Sequence, residues 1–77
     1  VVVIDRSKEP EAVTDDEEMI LASLQGKAIT AEEIIEQTKL PARRVMSALT
    51  MLQLRGLLSE ESGKRFHTTV IIKGREN

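Results

Sequence analysis

Apolar residues recur at helical spacing from Met19 to Leu54, and in short runs before and after that stretch. Val1 to Ile4 are four β-favouring residues in a row, followed by a polar stretch holding Pro10. This reads as an entry segment over 1–13, whose apolar start has to be paired or covered, because an exposed strand edge invites aggregation. Met19, Ile20, Leu21 and Leu24 give the buried stripe of a first helix that ends at Gly26. Ile34 and Ile35 face inward on a second helix, with Glu32 and Glu36 outward. A third helix runs from about Pro41 to Arg55 and stops at Gly56. At helical spacing Ala42, Val45, Met46, Leu49 and Leu52 share one side. Arg43, Ser47, Thr50, Met51 and Leu54 share the other, with Arg44 and Arg55 near its edge.

The polar positions supply the stops and starts. Thr14 with Glu17, and Thr30 with Glu33, have the spacing of a capping box. Asp15 to Glu18 fill the first turn of the first helix, where the helix dipole favours acids. That accounts for the acidic run without a metal, and the run lacks the glycine and ligand spacing of a calcium loop. Thr38 to Pro41 form a tight turn, and proline suits the start of the next helix. Leu57 to Glu60 and Arg65 to Thr69 read as two strands around the turn Glu61 to Lys64. Val70 to Ile72 extend the second strand, and 73–77 form a frayed polar tail. The order is helix, short strand, helix, turn, helix, hairpin. It predicts a mainly α domain with a small β-hairpin over 14–72, a winged helix whose second and third helices form a helix-turn-helix.

Composition removes whole classes of chemistry. The 77 residues suffice for one domain, and a makeup of 40% hydrophobic and 31% charged residues favours a folded one. Cysteine is absent and His67 is the single histidine, which leaves no thiolate or multi-histidine metal site. Phe66 is the only aromatic residue, so there is no stacking platform for single-stranded nucleic acid. No nucleophile–base pair, phosphate loop or carboxylate dyad is present, so the expectation is a non-enzyme without cofactors. His67 is expected to be a strand residue without chemistry. No apolar run is long enough for a membrane span and no signal peptide is visible, giving a cytoplasmic expectation. A first residue that is valine suggests a piece of a larger protein. The net charge of −2 divides unevenly: residues 1–40 hold ten acids and four bases, residues 41–77 three acids and seven bases. That split permits a basic face on the second half.

Ala48 to Leu58, ALTMLQLRGLL, resembles the C-terminal winged-helix domain of the DNA-processing protein A (DprA, or Smf) family. Leu40-Pro41-Ala42 is similar to the family's start of this helix, with Lys39 in place of the usual glycine. Ser62 to Phe66 is similar to its wing. The likeness covers about 15–67, and His67 to Asn77 lie outside it. It implies an accessory domain appended to a Rossmann-like core that binds single-stranded DNA and helps load a recombinase during natural transformation. The domain itself would carry no catalytic residue.

Two kinds of site fit the third helix. Arg43, Arg44 and Ser47, with Lys64 and Arg65 on the wing, are candidates for a clamp on duplex backbone; ordinary solvated surface is the alternative. Ser47, Thr50, Met51 and Leu54 offer nothing to read a base edge, so only weak, salt-steep contact is expected. Met51 and Leu54, with Arg55, are candidates for a protein interface, which implies a protein partner or self-association. Val1 to Ile4 or Val70 to Ile72 covering them within the chain is the alternative. A DNA-binding module of a transcription regulator is the competing reading of the whole.

Overall fold

The computed structural model describes residues 2–73. Thr14 caps helix α1 (Asp15–Ser23): its Oγ1 accepts from the Glu17 N–H at 3.1 Å, and Glu17 Oε1 accepts from the Thr14 N–H at 2.8 Å. Thr30 repeats the device with Glu33 for α2 (Ala31–Thr38), with both bonds at 3.3 Å. The turn after α2 is made by Lys39 in the left-handed region, φ 62°. Helix α3 (Ala42–Leu54) follows from Pro41. It closes in a Schellman turn: Gly56, φ 73°, donates to the Gln53 carbonyl, and Leu57 donates to the Leu52 carbonyl at 2.9 Å. Each helix therefore starts or stops where its own residues dictate.

Five short strands complete the chain: β1 (Val3–Asp5), β2 (Ile29–Thr30), β3 (Ser59–Glu61), β4 (Arg65–His67) and β5 (Ile71–Lys73). β3 and β4 form the antiparallel wing, with Glu61 opposite Arg65 and Ser59 opposite His67. β2 joins the other edge of β4, so the expected hairpin is the larger part of a three-stranded sheet. The second wing strand does not extend through Ile72. Thr68 breaks it: its hydroxyl donates to the Leu57 carbonyl at 2.6 Å and accepts from the Val70 N–H at 3.0 Å. The chain then turns into β5, which pairs in parallel with β1 in a separate sheet, Val3 beside Ile71 and Asp5 beside Lys73.

The stretch 1–13 is thus more than an entry segment. Ile4 and Val13 are buried in the core, and Arg6 is only 5% exposed. Asp5 organises the turn after β1: Ser7 donates to its carboxylate through both hydroxyl and backbone N–H. Those two bonds hold the Asp5 carboxyl below its usual pKa. At the other end Lys73 belongs to β5, and 74–77 of the expected tail lie outside the described residues.

The core is built where the stripes predict it. Val45, Leu49 and Leu52 of α3 are buried together with Leu21, Leu24 and Ile34. Three expected core positions are wrong. Ala42, in the opening turn of α3, is exposed, and Met19 and Met46 are 41% and 50% exposed. The two methionines flank their stripes, next to Ile20 and Val45, which are themselves fully buried. Phe66, Leu58 and Ile29 carry the core under the wing, and Val70 with Ile4 carries it under the parallel ribbon.

Candidate functional site: the outward face of the third helix

All five residues of the outward face, Arg43, Ser47, Thr50, Met51 and Leu54, are exposed. The reason is the helical period: Val45, Ala48, Leu49 and Leu52 take the buried side and leave no others free to turn in. Leu54 is 76% exposed and Met51 50%. At that exposure Leu54 is covered by neither Val2 to Ile4 nor Val70 to Ile72.

The arginines flanking this face are drawn to α1. Arg44 places Nε and Nη2 on the two carboxylate oxygens of Asp16, at 2.9 and 2.7 Å. That hydrogen-bonded contact raises the Arg44 pKa above its ordinary value. Arg55 donates to the Ala12 carbonyl at 2.6 Å and approaches Glu17 at 3.4 Å. From the far side, Arg6 meets Asp15 at 2.8 Å and Glu18 at 3.1 Å. Every acid of the first turn of α1 therefore has an arginine beside it. The acids thus meet both the positive end of the α1 dipole and these arginine partners. They lie up to 38 residues away in sequence, and no local spacing rule could find them.

The candidate DNA contacts line separate depressions. Arg43, Arg44 and Ser47 line a depression of about 290 Å³ between α3 and the start of α1, together with Asp16, Glu17 and Met51. Lys64 lines a different groove of about 370 Å³, between α3, the start of α2 and the wing, over Met46, Thr50 and Phe66. Arg65 lies on β4 and lines neither. Met51 and Arg55, two of the candidate interface residues, share a third depression with Arg6 and Ala12.

On the wing, His67 Nδ1 sits 2.9 Å from Glu61 Oε2, yet it is buried without a partner of hydrogen-bonding geometry. Among the described residues no three His, Cys, Asp or Glu side chains gather as metal ligands. Nor is any helix among them long and apolar enough to cross a membrane.

No curated protein and no solved structure matches the chain. A family model does: that of the DprA winged helix domain aligns with residues 5–64, from the last residue of β1 to the turn of the wing. The aligned stretch takes in all three helices and their caps, the sheet of the wing as far as its turn, and the whole outward face of α3. On that alignment, spanning most of its length, the chain belongs to the DprA winged helix domain family.

Proposed function

We propose that this is a non-enzymatic accessory domain of a DprA-like DNA-processing protein, C-terminal to its main DNA-binding core. Its setting would be the cytoplasm, in DNA uptake during natural transformation. Its task is association, with a partner protein or with a second copy of itself, and its contact with duplex DNA is weak and nonspecific. The observation that carries this reading is Leu54, 76% exposed beside a half-exposed Met51 on the helix that would enter a groove of DNA. Phosphates and base edges reward donors, not aliphatic side chains. Two of the three arginines on or beside α3's outward face, moreover, already donate to carboxylates of α1, Arg44 to Asp16 and Arg55 to Glu17.

Sedimentation of the wild type against Leu54→Glu tests it. The wild type is expected to associate as concentration rises, alone or with the parent protein's core domain. Leu54→Glu is expected to lose that association while keeping its fold, because exposed substitutions usually shift stability by no more than about 0.5 kcal/mol. Equal behaviour of the two proteins in both settings removes the interface. A duplex titration at physiological salt is expected to give a Kd of about 10⁻⁴–10⁻⁶ M. Tight binding to one sequence over scrambled duplex would instead support a transcription regulator.

A further inference from the structure

Arg44 stands in the first turn of α3, at the positive end of the helix dipole, where a cation is disfavoured. Nothing in α3 itself compensates it: its first turn holds no acid, and Pro41 makes no side-chain cap. The compensation comes from Asp16 of α1, whose two oxygens receive the guanidinium fork. A fork of this kind takes a phosphate diester in the same way, through two parallel N–H donors.

The three arginines around α1 differ in what else holds them. Arg6 is buried, and it also donates to the Thr14 carbonyl. Arg55 also donates to the Ala12 carbonyl. These two tie chain segments together. Arg44 gives its bonds, among the described residues, to one carboxylate alone, and its side chain is 58% exposed. A polyanion in solution can reach it. An exposed pair of this sort adds little to the stability of the fold. Arg43, beside it, makes no ion pair among the described residues and lines the same depression.

We infer that the Asp16–Arg44 pair is an autoinhibitory latch: Asp16 occupies the fork that a duplex phosphate would take, and so keeps the domain's DNA contact weak. The inference rests on the proposed weak duplex contact through α3. When duplex arrives, its phosphate competes with Asp16 for Arg44, and Arg43 adds a second contact from the same turn. Removing Asp16 frees one phosphate contact without altering any residue that touches DNA.

Fluorescence anisotropy of the 77-residue chain with a random-sequence duplex, from low to physiological salt, tests this. Asp16→Asn is expected to bind about two- to fivefold more tightly, because the phosphate no longer has to displace a carboxylate. Glu36→Gln, an exposed acid on α2, measures the gain from losing any negative charge, and a smaller change is expected there. In an Arg44→Gln background, Asp16→Asn is expected to gain no more than that control. If Asp16→Asn binds no better than Glu36→Gln while the wild type binds measurably, the latch is overturned and the weak-contact reading stands. A full gain that survives in Arg44→Gln overturns it as well. Absence of binding by every variant at the lowest salt overturns both. Should Asp16→Asn fail to fold, the wild-type Arg44 Nε–H resonance decides: it is expected to move as duplex is added, and an unmoved resonance during binding overturns the latch.

Discussion

Lys39 holds a backbone conformation that suits glycine better than lysine. Its φ of 62° ends α2 and lets its N–H donate to the Ile35 carbonyl at 2.9 Å. A side chain in this region costs about 1–2 kcal/mol, and glycine returns about 0.5–1 kcal/mol of that through its freer unfolded chain. Lys39→Gly is therefore expected to stabilise the domain by about 0.5–1 kcal/mol, read as a Tm rise of a few degrees. The turn was legible from Thr38 and Pro41, but a lysine gives no local sign of a left-handed angle. The arginines show the same limit. Arg44 on a helical wheel is a charge near an exposed edge, and only the packing of α1 against α3 brings Asp16 under it. Local patterns report which residues face out; they do not report which outward residues meet.

At the scale of elements, the capping boxes and stripes located all three helices, because each of those signals lies within a few residues of the structure it governs. The stripes failed at their margins. Helical spacing puts Met46 inward with Leu49, yet it is half exposed and Leu49 is 1% exposed. The two side chains should separate cleanly in denaturant melts. Leu49→Ala is expected to lose about 2–5 kcal/mol, the range for a buried leucine. Met46→Ala should stay within about 0.5 kcal/mol of wild type, as exposed substitutions do. A large loss at Met46 would mean that the groove between α3 and the wing is closed in solution. The strands were less legible than the helices. β4 ends at His67 because the Thr68 hydroxyl takes up the next backbone groups, and a threonine among β-branched neighbours reads from sequence as more strand.

At the scale of the molecule, the pairing of β1 with β5 joins residues almost 70 positions apart, and a parallel pair leaves no turn signature to read. Both strands were visible as apolar runs; that each would be the other's cover was not. Ile4 is the buried residue of β1, 6% exposed, so Ile4→Ala is expected to cost about 2–5 kcal/mol. The loosening should begin locally. The Ile71 N–H, which donates to the Val2 carbonyl at 2.8 Å, is expected to exchange with solvent well before the amides of α3. Uniform acceleration across the domain would show that the ribbon and the helices open as one unit. The parallel sense of that ribbon also has a mechanical consequence. Val3 lies at one end of it and Lys73 at the other, so tension between them slides the strands past each other along their length. The hydrogen bonds then bear the load together, as in a lap joint, instead of parting one at a time. A pull applied between Val3 and Lys73 therefore loads this seam in shear.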